Sequence, residues 1–176
     1  MKPYDLDRAI RKVPGFPKPG ILFYDITSVL MNPEAFSFCV DAIVERYSSM
    51  EIGAITAIES RGFLFATPVA VRMKLPVILV RKAGKLPGAT YSKTYELEYG
   101  SDTVQMHQED LRVGQRILIV DDLIATGGTI AATADLIRSA GSVPVEAFSV
   151  IGLPFLRYEE ALSPLPVHTL ITYDSE

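Results

Sequence analysis

Thirteen residues, Ile117 to Thr129 (ILIVDDLIATGGT), constrain this chain more than any other stretch. They place an unbroken apolar run, two adjacent carboxylates and a pair of glycines in that order. Ile117 to Val120 read as a parallel strand covered on both faces, and from Ala131 onward the apolar spacing becomes helical. The polar residues between them therefore fall where a strand hands over to a helix. In open α/β sheets ligands bind outside the carboxyl ends of the strands, and a helix N-terminus presents free N–H groups and partial positive charge. Thr126, Gly127, Gly128 and Thr129 can wrap a phosphate there, the glycines permitting close backbone approach and the hydroxyls adding donors. Asp121 and Asp122 would repel that phosphate unless a ribose diol or a bound Mg²⁺ lay between. The alternative is that they cap the following helix, worth roughly a kcal/mol, but a cap does not call for two acids, an apolar spacer and then TGGT. The segment is not a nucleotide P-loop, since the G-x-x-x-x-G-K-[ST] order is missing.

The 176 residues fit one domain. Hydrophobic residues make up 48% of the chain and mean hydropathy is +0.23, which suits a doubly covered sheet or an oligomer hiding apolar surface. The longest apolar runs, Ile117 to Val120 and Pro76 to Val80, are strand-length, far short of the roughly 20 residues of a membrane span. A net charge of −4 argues against a nucleic-acid partner. Cys39 is the single cysteine, so no internal disulfide can form and a reducing cytoplasm is expected. Its helical spacing with Phe36, Val40, Ile43 and Tyr47 marks it as core. No signal-peptide core is visible at the N-terminus; residues 1–13 read instead as a short amphipathic helix burying Leu6, Ala9, Ile10 and Val13.

Asn32 and Pro33 announce a helix running to about Tyr47, as cap and first residue. Ala54 to Ile58, Pro76 to Val80, Val145 to Ile151 and Val167 to Thr172 read as further strands. Helices are expected over Phe63 to Met73 and Thr129 to Ser139, the latter closed by Gly141. Strands alternating with helices of this length indicate a mostly parallel sheet with helices on both faces. Arg81 to Gly100 has no sustained helical pattern. Tyr91 to Tyr99 and Thr103 to His107 can pair as a hairpin around Gly100 and Ser101, forming a lid. His107 and His168 fall on strand-like segments and read as structural, and lysines such as Lys74 and Lys93 as solvated.

Five blocks in register carry a resemblance: Gly15 to Ile26 (GFPKPGILFYDI), Glu59 to Phe65 (ESRGFLF), Arg81 to Gly88 (RKAGKLPG), Tyr95 to Gly100 (YELEYG) and Val120 to Thr129 (VDDLIATGGT). The last resembles the phosphoribosyl-pyrophosphate (PRPP) signature of type I phosphoribosyltransferases. GFPKPG and LEYG are similar to the branch of that family acting on adenine. The resemblance implies the type I fold, with residues 1–32 as a hood over the base pocket and 81–107 as a flexible lid. It also implies transfer of phosphoribose from PRPP to N9 of adenine, giving AMP and pyrophosphate in purine salvage, Mg²⁺ arriving with PRPP, and a homodimer.

The roles implied can be matched to chemistry. Leaving of pyrophosphate from C1′ develops negative charge that cations must meet in a water-poor site. Arg61 fits that role, preceded by Ser60 and a Glu59–Ser60 peptide that in the family offers N–H to pyrophosphate and takes the rare non-proline cis form. Arg81, Lys82 and Lys85 add positive charge, some of it directed across a dimer interface. Asp121 and Asp122 would hold the ribose hydroxyls or the metal's waters, and Ala125, Thr126, Gly127, Gly128 and Thr129 the 5′-phosphate. Because Mg²⁺ keeps several waters, the protein itself need supply few ligands. Glu98 is the candidate general base for the N9 proton, with Glu96 as its neighbour and control. Adenine would stack on Phe23, with main-chain groups of Leu22 and Tyr24 reading the amino edge and Ile124 covering the other face. Two positions depart from the family: Tyr24 stands where arginine is frequent, and Glu59 where aspartate is. The competing readings are transfer to xanthine, guanine or orotate, for which a cation beside Phe23 is missing, and a non-catalytic PRPP-sensing regulator, which would call for a DNA-binding module.

Overall fold

The computed structural model describes residues 4–96 and 100–174. Its order is β1 (Arg11–Pro14), β2 (Leu22–Asp25), α1 (Thr27–Leu30), α2 (Pro33–Tyr47), β3 (Ala54–Ile58), α3 (Gly62–Met73), β4 (Val77–Lys82), β5 (Thr90–Glu96), β6 (Ser101–His107), β7 (Arg116–Ile124), α4 (Gly128–Ser139), β8 (Val143–Gly152), α5 (Tyr158–Leu162) and β9 (Val167–Thr172). The start of α2 shows its cause in the sequence. The Asn32 side chain accepts from the N–H of Glu34 and Ala35, both at 3.1 Å, and Pro33 opens α2. The buried stripe of α2 includes Ala35, Cys39, Val40, Ile43 and Tyr47. Burial pushes the Cys39 thiol up to about 12, as a core residue should show.

The main sheet runs β5-β6-β4-β3-β7-β8-β9. β3, β4, β7, β8 and β9 are parallel, and β5 and β6 add an antiparallel hairpin at one edge. The apolar runs separate into two faces: Ile55, Ala57, Leu118 and Val120 pack with α2 and α3, whereas Ala54, Ile58, Ile117 and Ile119 pack with α4. From β3 the chain first moves to β4 on one side, then returns to β7 on the other. The loop after β3 therefore feeds a helix on one face, and the loop after β7 a helix on the opposite face. The crevice at that reversal is where an open α/β sheet holds its ligand.

Two readings of the sequence need correction. The amphipathic helix expected over residues 1–13 does not form over the described residues 4–13: a 3-10 turn over Leu6–Ala9 leads into β1, which pairs antiparallel with β2, Val13 opposite Phe23 and Lys12 opposite Tyr24. Pro14 and Gly15 cannot prolong a helix, and the ladder with β2 satisfies this backbone instead. Leu6 and Ile10 are buried nonetheless. The strand expected over Ile117 to Val120 continues to Ile124, because β8 pairs with it as far as Ile124 opposite Gly152. Asp121 and Asp122 thus belong to a strand and are not helix caps; the N-cap of α4 is Gly127, at φ 84°. A positive φ there favours glycine, and a Cβ would also press on Leu162 at 3.1 Å.

The hairpin pairs from Thr90 opposite His107 to Glu96 opposite Ser101, with Ser101 already in the strand, while residues 97–99 of the expected first strand lie outside the described residues. It lies against α4: the Thr129 hydroxyl donates to Tyr95 Oη at 3.0 Å, and Lys93 Nζ stands 2.8 Å from Asp135. Lys93 is therefore tethered rather than freely solvated.

Candidate active site

At the crevice between β3 and β7 the chain encloses a cavity of ≈ 390 Å³. Of the residues expected to bind PRPP, Ser60, Arg61, Lys82, Asp121, Asp122 and Ala125 through Thr129 line it, as does Ile124. One end is the turn Thr126–Thr129 leading into the twelve-residue α4, where the first N–H groups of the helix and its dipole point.

The acidic end is built by close approach of α3 to β7. Gly62 opens α3, and a Cβ on it would meet the Val120 carbonyl oxygen at 2.9 Å and Asp121 Oδ1 at 3.1 Å. This allows Arg61 Nε to reach Asp122 Oδ2 at 2.5 Å. Asp122 is 4% exposed and Arg61 46%, so the pair anchors at the acid and leaves the guanidinium open to the cavity. Asp121 Oδ1 accepts the N–H of Asp122 at 2.8 Å. Its carboxyl is held well above the usual range, first by burial and then by the neighbouring Asp122 charge, with Arg61 pulling weakly the other way. A group poised in this direction at a cleft is a mark of function.

The third wall carries cations already engaged. The Glu59–Ser60 peptide is cis, as the resemblance implied. Glu59 Oε2 accepts from Arg81 Nε at 2.8 Å and from the Lys82 N–H at 2.9 Å. The Arg81 guanidinium, then the Lys82 amide, hold this carboxyl below its ordinary value. Glutamate at 59 thus has a partner its extra methylene reaches. Lys82 Nζ is 2.9 Å from Asp102. Arg81 and Lys85 do not line the cavity: Arg81 is turned to Glu59 and Phe63, and Lys85 is exposed.

Leu22, Phe23 and Tyr24 lie on β2, and none of them lines this cavity. Phe23 meets Phe16 edge-on at 5.0 Å, while Tyr24 is 5% exposed and stacks on Tyr173. Glu98, with Leu97 and Tyr99, lies outside the described residues. Glu96 is exposed on β5 and does not line the cavity.

Sequence reasoning missed Tyr95 and Asp102, which face each other across β5 and β6 and both line the cavity. The signals for Tyr95 were its place at the head of the YELEYG block and Tyr91 four residues before it, on the same strand face. Asp121 and Asp122 offer oxygen donors suited to a hard cation or its waters. Among the described residues no three His, Cys, Asp or Glu side chains gather as a metal cage.

Over residues 25–154 the chain matches the family described as Phosphoribosyl transferase domain. It is 54% identical over 176 residues to an adenine phosphoribosyltransferase of Treponema denticola, spanning 100% of this chain and 93% of that relative. To the adenine phosphoribosyltransferase of Treponema pallidum it is 58% identical over 171 residues, 97% of this chain and 90% of the relative. Among solved structures, the adenine phosphoribosyltransferase of Thermoanaerobacter pseudethanolicus aligns with a TM-score of 0.92 at 41% identity, over 96% of this chain and 98% of that one. The Saccharomyces cerevisiae adenine phosphoribosyltransferase, complexed with an imino-altritol bisphosphate and adenine, aligns with a TM-score of 0.89 at 38% identity, over 95% and 97%.

Proposed function

The chain belongs to the phosphoribosyl transferase domain family, in its adenine phosphoribosyltransferase branch, and from that premise we propose how its site turns adenine and PRPP into AMP and pyrophosphate. The observation that supports this most is the meeting, at one crevice, of the Asp121–Asp122 pair, the Thr126–Thr129 turn and Arg61. A 5′-phosphoribose has a phosphate at one end and a diol at the other, and this crevice has a partner for each.

The turn into α4 binds the 5′-phosphate through its N–H groups and the Thr126 and Thr129 hydroxyls. Asp121 and Asp122 accept from the ribose 2′- and 3′-hydroxyls, and the Arg61 tether keeps Asp122 aimed. Ser60, Arg61 and Lys82 face the leaving pyrophosphate, where negative charge grows as the C1′–O bond breaks. Mg²⁺, entering with PRPP, supplies further charge neutralisation at that leaving group. The β5–β6 hairpin keeps water from C1′. Adenine lies between Phe23 and Ile124, its amino edge read by the main chain of Leu22 and Tyr24, and Glu98 takes the N9 proton.

A homodimer belongs to the same reading. Leu64, Val71 and Leu79 leave apolar side chains 44%, 73% and 36% exposed on α3 and β4. A second copy covering them would bring Arg81 and Lys85 near the partner's pyrophosphate. The single buried cysteine suits a reducing cytoplasm, and among the described residues no helix is long and apolar enough to cross a membrane. Incubation with PRPP, Mg²⁺ and adenine tests the reaction directly: AMP and pyrophosphate should appear in equal amounts, and ribose 5-phosphate without AMP would contradict it.

A further inference from the structure

Tyr24 is one of the two positions at which the chain departs from its family's pattern, and its ring is not at the base site. It lies flat on Tyr173, ring centroids 3.8 Å apart and planes 13° apart. Tyr173 follows β9 and is held three ways. Its hydroxyl donates to Asp7 Oδ1 at 2.7 Å, and Asp7 is bridged to Lys12 on β1, directly opposite Tyr24. Lys12 Nζ also sits 5.3 Å over the Tyr173 ring. The Tyr173 N–H donates to the Gly152 carbonyl at 3.1 Å, and the next residue, Leu153, donates its N–H to the Ile124 carbonyl at 2.9 Å. Only glycine fits at 152, since a Cβ there would lie 2.7 Å from the Tyr158 hydroxyl and 2.8 Å from Thr169 Cγ2.

Strand alternation puts Phe23 on the face of β2 opposite Tyr24. A two-stranded sheet such as β1–β2 is marginal alone, so its position is set by what anchors it. We infer that Tyr173 is a positioning residue that gauges the adenine slot, fixing Phe23 through the Tyr24 stack and Ile124 through Gly152 and Leu153. Both walls of the slot then refer to one residue near the end of the chain. Tyrosine at 24 supplies the flat, large partner that such a gauge needs. The inference rests on the adenine reading of Phe23 and Ile124.

The test is steady-state kinetics of Tyr173→Leu, Tyr173→Phe and Tyr24→Leu, with melting temperature measured for each. Tyr173→Leu and Tyr24→Leu should raise the KM for adenine about tenfold while the KM for PRPP and kcat stay within about twofold. Tyr173→Phe keeps the ring and should leave all three within about twofold of the parent. A residue that only supports the fold would lower the melting temperature without separating the two KM values. An unchanged adenine KM in folded Tyr173→Leu, or adenine and PRPP KM values rising together, overturns the positioning role while leaving the reaction intact. Failure of both leucine variants to fold would make the stack a folding element and overturn it as well. Parent protein that forms no AMP would remove the adenine reading itself.

Discussion

Gly62→Ala should damage both stability and catalysis, because the added methyl has nowhere to go. Its position is 2.9 Å from the Val120 carbonyl oxygen, 3.1 Å from Asp121 Oδ1 and 3.2 Å from Asp121 Cα. Two of these three are backbone atoms of β7, a strand paired on one side with β3 and on the other with β8. The neighbour that would have to yield is the segment that carries Asp121 and Asp122, the acids proposed to hold the ribose diol. Overpacking of this kind costs ~1–3 kcal/mol, which for a chain of this size lowers the melting temperature by roughly 2 to 12 °C. Alanine in a helix interior is otherwise favoured over glycine by up to about 1 kcal/mol, so a loss has to overcome that gain. Moving Asp121 and the Arg61–Asp122 pair apart should also reduce kcat/KM for PRPP by about tenfold or more, since displacements of about 1 Å are costly in such sites. Thermal melts together with PRPP titrations read both quantities. A variant as stable as its parent, with unchanged kcat/KM for PRPP, would refute the claim that α3 and β7 meet without slack.

Asp121→Asn should raise the melting temperature while weakening PRPP use. The folded carboxyl is raised above its ordinary value of 3.8, so ionising it costs stability. The penalty is absent below that ordinary value and grows as the pH rises toward the shifted one; the stability gained by asparagine should grow in the same direction, and a gain largest in acid would contradict it. For the same reason PRPP binding should release protons and weaken as the pH falls, which calorimetry in buffers of different ionisation enthalpy would detect. Glu98→Gln should lower kcat roughly 10²- to 10⁴-fold with little change in PRPP affinity. Glu96→Gln, altering an exposed carboxylate away from the cavity, should cost far less, and the reverse order of damage would reassign the base.

Local signals in the chain reached far into this site. The Asn32–Pro33 helix start, the five parallel strands and the Thr126–Thr129 turn could all be read from spacing and turn chemistry, because each depends on residues within a few positions of one another. The Arg61–Asp122 pair, the Tyr95–Thr129 hydrogen bond and the Tyr24–Tyr173 stack could not. Their partners are 61, 34 and 149 positions apart, and no periodicity reports such meetings. The helix expected over residues 1–13 misled for a related reason. Their apolar spacing fits a helix, and only β2, folding back after the Gly15–Gly20 turn, makes the extended form better satisfied. The two aspartates were legible as candidates and do line the cavity, yet their place inside β7 rather than at a cap was decided by pairing with β8.

We propose that the slot beside this PRPP crevice is built for a 6-amino purine. Comparing kcat/KM for adenine, hypoxanthine and guanine at saturating PRPP and Mg²⁺, by pyrophosphate release, tests it most directly. A pocket whose main-chain groups pair with the amino edge leaves polar atoms unsatisfied against a 6-oxo base, so adenine should be preferred by up to about 10⁴-fold. Hypoxanthine or guanine used as well as adenine would contradict the claim.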